Sequence, residues 1–280
     1  MRGWVVSSLI GLGLIGAIAA ADGALAQGKF EAQYVASVAG IPVGRGAWGI
    51  EIGDDQYATA ASGRVTGVLR AVTSGEGQVG VRGGISKGVL APSTYAVTVS
   101  SGGKTDEVQM VLASGTVKDL VAEPPFQPSP DRIPLTDAHR KGVLDPMSAG
   151  IIPVAGTGDV LAPEACNRTL AIFDGRQRFD LTLSFKRMDH VKADKGYEGP
   201  SVVCMVTYHP IAGHRPDRSA IKYLIATRDM EMWLAPIAGT RILVPFRISV
   251  PTMIGPAILQ ATQFVAVAQP SRATASAKTQ

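Results

Sequence analysis

The residues best equipped for chemistry in this chain lie between Tyr208 and Asp217, where His209, His214 and Asp217 share a short segment containing Pro210 and Pro216. Two imidazoles and a carboxylate are the raw material of a metal or acid–base site. The spacing speaks against one: the helical His pair of a zinc hydrolase sits four apart, these histidines sit five apart, and no H-E-x-x-H run occurs. The segment reads more simply as a rigid loop whose histidines bond backbone carbonyls, with a histidine-based hydrolase as the rival reading. Arg176 and Arg178, beside Asp174 and Asp180, form a second polar group able to grip an anion. Alternation sets Arg176, Arg178 and Asp180 on one strand face, where opposite charges pair routinely on solvated surfaces. Nucleophile elbows of the G-x-S-x-G type, phosphate loops and dinucleotide fingerprints are absent. No catalytic residue, metal or cofactor is therefore expected.

Cys166 and Cys204 are the only cysteines. An even count in an exported chain points to a bridge. Zinc is disfavoured because neither cysteine belongs to a C-x-x-C knuckle. The remaining alternative is a pair of buried thiols.

Export itself is read from the first residues. Arg2 precedes an apolar stretch from Trp4 to Ala20, and Ala24-Leu25-Ala26 supplies the small residues of a cleavage site, so residues 1–26 are expected to be a signal peptide leaving Gln27 first. The mature chain should then lie in the periplasm, with no stable membrane span. Hydrophobic residues make up 46% and charged residues 18%, a globular balance that excludes a disordered chain. Lys and Arg are dispersed and the formal net charge is only +4, so nucleic acid is not an expected partner.

The elements that must position these residues are strands. The chain has 32 Gly and 18 Pro, which cut it into short alternating pieces: Phe30 to Val38, Val43 to Ile52, Gln56 to Gly63, Gln78 to Gly83, Ser93 to Ser101 and Glu107 to Ala113. Their connections are too short for parallel crossovers, so an antiparallel meander is expected. Prolines crowd the stretch from Glu123 to Pro134 and predict an extended surface loop. Asp145-Pro146 begins the one expected helix, from Pro146 into Ile151-Ile152. Strands resume with Thr169 to Phe173, Arg176 to Arg187, Ser201 to Tyr208, Ile221 to Thr227, Met230 to Pro236, Arg241 to Val250 and Pro256 to Val267. One β-rich domain over 27–268 and a disordered tail over 269–280 complete the organisation.

The later strands carry more apolar residues than one sheet face needs. Met147, Ile151, Ile152, Met205, Met232, Trp233 and Phe246 are accordingly candidates for an apolar groove on the concave face of a bent sheet, able to accept an acyl chain or a lipidated partner.

Several phrases add a family resemblance. Gly40-Ile41-Pro42-Val43-Gly44-Arg45, Val65-Thr66-Gly67-Val68-Leu69, Leu144-Asp145-Pro146-Met147-Ser148-Ala149, Phe173-Asp174-Gly175-Arg176 and Pro210-Ile211-Ala212-Gly213 resemble the bacterial exported proteins of the domain of unknown function 3108 family. The resemblance spans about Phe30 to Val267 and implies a periplasmic, mainly β protein: a strongly curved antiparallel sheet or open barrel around one short helix, similar to lipoprotein carriers. It implies no reaction. The expected role is non-enzymatic envelope maintenance by binding a lipid, a lipoprotein or another envelope component. A scaffold for envelope proteins is the alternative.

Overall fold

A computed structural model describes residues 28–67, 74–86, 88–127 and 129–268. The expected signal peptide and the expected disordered tail lie outside the described residues. Glycine-marked reversals fold the first part of the chain into a meander of β1 (Gly28–Val38), β2 (Ile41–Ile52), β3 (Gln56–Val65), β4 (Gly75–Ser86), β5 (Val89–Ser101), β6 (Lys104–Ala113) and β7 (Thr116–Glu123). Each strand pairs antiparallel with the next. The helix α1 (Pro146–Ala149) and the short β8 (Ile152–Pro153) come next in the chain. After them come β9 (Arg168–Phe173), β10 (Arg178–Lys192), β11 (Lys195–Gly196), β12 (Glu198–Ala212), helix α2 (Ser219–Ala226), β13 (Met230–Pro236), β14 (Ile242–Val250) and β15 (Ala257–Ala268). All the strands join one 15-stranded sheet, ordered β7-β6-β5-β4-β3-β2-β1-β15-β14-β13-β12-β10-β9, with β11 on β15 and β8 on β14.

This sheet is mostly antiparallel, open and curved. Its two ends, β7 and β9, do not pair; the segment before α1 spans them. Val143 N–H donates to Gly115 O, Leu144 N–H to Ala171 O, and Phe173 N–H to Leu144 O. The turn between β9 and β10 adds a clasp, since Arg176 donates to Asp106 on β6 at 3.2 Å and to Pro124 O at 3.1 Å. Gly175, at φ 91°, lies so close to Val108 that a Cβ would fall 2.3 Å from its Cγ1. Only glycine fits there.

The surplus of apolar residues in the later strands is spent on two-sided burial. Met232, Leu234 and Leu243 pack in one cluster with Ile152, Leu170, Ile172 and the cysteines. Trp233, Ala235, Ile242 and Val244, on intervening positions, pack in the other with Val191 and Ala193. The β10–β12 hairpin reaches that second layer by folding back on β15, where Tyr197 N–H donates to Phe264 O. Strands buried on both faces read as unbroken apolar runs, and β12 to β14 do. Cys166 and Cys204 form the disulfide, with sulfurs 2.06 Å apart and both residues fully buried.

Two expectations about helices need correction. Of Ile221 to Thr227, expected as a strand, Ile221 to Ala226 lie in α2 and Thr227 caps it; Ile221, Leu224 and Ile225 repeat at helical spacing, and Leu224 packs on the cysteine-bearing cluster. The helix expected from Pro146 into Ile151-Ile152 is a single turn that stops at Gly150, because Ile152 and Pro153 pair with Leu243 and Ile242 of β14. A 3₁₀ helix over Asp137–Arg140 precedes α1.

Candidate functional site

The polar candidates do not converge. His209 is exposed on β12, opposite Asp180. His214 is buried against the proline-rich stretch, where its carbonyl accepts from Ile133 N–H and Gly213 N–H donates to Ile133 O. Its Nδ1 has no partner, and burial lowers the imidazole's proton affinity, which favours the neutral ring. Asp217 points outward with its side chain 92% exposed, 3.7 Å from Lys222. Among the described residues no group of three or more His, Cys, Asp or Glu is placed to hold a metal. Both arginines are committed to internal partners. Arg176 forms the clasp, and Arg178 donates to Asp180 at 2.5 Å and to Phe179 O at 2.6 Å.

The apolar candidates separate by layer. Ile151, Trp233 and Phe246 belong to one core cluster, Ile152 and Met232 to the other, and Met205 is half-buried. Ile151 and Ile152 also border a cleft whose Arg168 and Arg241 donate to the carbonyls of Pro153 and Val154. Met147 alone among the seven lines the apolar trough that the structure does contain.

That trough has a volume of about 430 Å³. One wall is α1, through Pro146, Met147 and Gly150; Trp48 and Ala61 of β2 and β3 face it, and Tyr34, Pro245, Ile248 and Leu259 complete the lining. Space exists because strand positions that would otherwise project bulk into it are small: Ala36, Gly44, Gly46, Ala61 and Gly63. Gly46 is also dictated by the backbone, since a Cβ there would sit 2.8 Å from Ser62 O. Arg45 and Arg64, direct cross-strand partners and both exposed, border the trough. In sequence these small residues read as turn and strand punctuation, so the trough was legible only in the Gly-x-Gly of β2, and then only as a close backbone approach.

The wall is held by a buried polar chain built on the residue that starts α1. Asp145 caps α1, its Oδ1 accepting from Met147 and Ser148 N–H at 2.9 Å each. Ser148 Oγ donates to Asp145 Oδ2 at 2.5 Å and lies 2.6 Å from the Tyr57 hydroxyl of β3. Asp145 and Ser148 are both fully buried. Burial pushes the Asp145 carboxyl above its usual range, and the three hydrogen bonds it accepts pull the other way. The chain of bonds ties α1 across to the opposite wall. At the other end of the trough Tyr34 donates to Pro245 O at 2.7 Å, fixing β1 to β14.

Fold and trough together define a curved, mostly antiparallel β protein with one helical turn seated against its sheet and an apolar recess beside it. The chain belongs to the DUF3108 family, described as a protein of unknown function, whose profile matches residues 29–262. No curated protein matches the chain. Among solved structures it is similar to a beta-barrel-like protein of the domain of unknown function DUF1849 from Brucella abortus, at 9% identity and a TM-score of 0.44, over 87% of this chain and 99% of that one.

Proposed function

We propose that this protein is a non-enzymatic periplasmic carrier or sensor that holds the acyl chain of a lipid or lipoprotein in the trough between α1 and β1 to β3. The carrying observation is the recess itself: about 430 Å³, walled by Trp48, Met147, Pro245, Ile248 and Leu259, within the roughly 300–1,000 Å³ typical of small-molecule sites. The recess is open, so its apolar walls are wetted in the free protein and covering them with an acyl chain is favourable. The disulfide and the N-terminal sequence support an oxidising, extracytoplasmic location. A histidine-dependent hydrolase is less well supported, because His209, His214 and Asp217 occupy three different environments.

Two measurements test the reading. Native mass spectrometry of protein taken from its own periplasm should show a bound amphiphile, and a fluorescent fatty acid should bind the emptied protein. Ala61→Phe, which places a ring in the trough from β3, should abolish that uptake while leaving the fold intact. Unchanged uptake by Ala61→Phe, or none by the wild type, defeats the proposal.

A further inference from the structure

From the end of the sheet next to the trough, we infer that the protein docks on an anionic lipid bilayer through the tips of two neighbouring hairpins. The tips are the β1–β2 turn and the β14–β15 turn, joined where Ala39 N–H donates to Pro256 O at 3.0 Å. Gly255 packs so close to Ala39 that a Cβ there would lie 2.8 Å from the Ala39 Cβ. The second tip is rigid: Thr252 and Gly255 exchange both backbone hydrogen bonds at 3.2 Å, and Thr252 Oγ1 donates to Gly255 O at 2.5 Å.

At the two positions inside that tight turn stand Met253 and Ile254, exposed by 67% and 77%. Turn chemistry selects Asn, Gly or Asp there, so nothing in the local backbone demands large apolar side chains. Beside them Ile41, at the start of β2, is 53% exposed. Ile225 on α2 is 42% exposed at the same end of the sheet, and α2 packs its Leu224 in the cluster that holds Ile248 and Val250 of β14.

Charge selects the occupant. Arg45 and Arg64 face each other across β2 and β3, and Arg218, Lys222 and Arg228 flank α2. These cations outnumber the nearby carboxylates Glu76, Asp217 and Asp229. Separate apolar prongs accompanied by an excess of cations suit insertion among anionic headgroups. A stable protein interface would instead want about 800 Å² of continuous surface on this side. Gly44 lies three residues from Ile41, roughly 10 Å along the strand, so docking would set the trough mouth at the membrane surface. The inference stands on the tips and not on the trough's occupant, and the two fail separately.

The experiment is co-flotation of the chain from Gln27 onward, which contains every described element, with vesicles of one part phosphatidylglycerol to three parts phosphatidylcholine. Wild-type protein should float with them and stay behind with pure phosphatidylcholine. Met253→Ser combined with Ile254→Ser should weaken flotation about ten-fold or more, with unchanged thermal unfolding and unchanged fatty-acid uptake. Arg45→Gln with Arg64→Gln should weaken binding to the anionic vesicles and lower its salt sensitivity. Met253→Trp should show blue-shifted emission on adding anionic vesicles. Failure of the wild type to float, equal flotation of the double-serine variant, or capture of a discrete protein by these tips without vesicle binding would each overturn the inference.

Discussion

Replacing Ser148 by alanine isolates the bond chain that holds the trough wall. The serine hydroxyl donates to Asp145 Oδ2 and meets the Tyr57 hydroxyl, and its residue is wholly buried. Ser148→Ala therefore strands two polar groups at once in a fully buried site. An unpartnered buried group costs about 1–3 kcal/mol, more for a carboxylate, so the variant should lose about 3 kcal/mol of stability. Tyr57→Phe removes one end and leaves the Ser148–Asp145 bond intact, so its loss should be only about 1 kcal/mol. Asp145→Ala removes the cap as well as the serine's acceptor and should cost at least as much as Ser148→Ala. For a chain of this size about 1 kcal/mol moves the melting temperature by roughly 2–4 °C, which separates the serine variant from the tyrosine variant. Urea unfolding followed by tryptophan fluorescence gives the free energies directly. A Ser148→Ala loss no larger than that of Tyr57→Phe would refute the reasoning, because it would mean that water reaches the carboxylate and the chain is not a buried unit.

Further outcomes follow from other contacts. The Asp145 carboxyl is pushed up by burial, so its contribution is greatest below the ordinary Asp range and is lost as pH rises through the raised folded value; the stability of wild type minus that of Asp145→Asn should fall from acid toward neutral pH, and a flat difference would contradict it. His214 is shifted the opposite way, so its neutral form supports the fold above the ordinary His range and that support fades as pH falls through the lowered value; His214→Gln should flatten the acid side of the pH–stability curve. Opening the Cys166–Cys204 loop, a sequence separation of 38, with a double alanine variant should cost about 4 kcal/mol on the chain-entropy account, and alkylation of denatured, unreduced protein should label neither cysteine. Gly213→Ala should destabilise by more than about 1 kcal/mol, since Gly213 holds φ 82° and a Cβ would fall 2.1 Å from Arg176 O; wild-type stability would mean that the loop rests elsewhere.

The strands of the meander were legible in the chain because side-chain alternation and glycine-marked turns are local signals: the reversals at Gly53 and at Gly102-Gly103 fall where such signals stand, whereas β4 runs on through Gly83-Gly84 with a register shift and turns only at Gly88. Asp145-Pro146 marked the helix start for the same reason: a cap and a proline act within one turn. The end of that helix was not local, because Ile152 and Pro153 leave it to pair with β14 far along the sequence. Likewise Ile221 to Thr227 has a β-branched flavour, and packing of Leu224 against strands already in place decides for a helix.

The apolar groove shows the division most clearly. Met205, Met232, Trp233 and Phe246 stood out by their size, yet large side chains are what a two-sided sheet uses to fill both faces, so most of them became core. The recess is framed by residues with little side chain, at Ala36, Gly44, Gly46, Ala61 and Gly63, and a void has no residue of its own to announce it. By itself the amino-acid order determined strands, turns, caps and the pairing chemistry of two cysteines, all governed by neighbours within a few positions. Only the tertiary structure decided which faces were covered and where space was left, because those depend on how distant strands curl past one another.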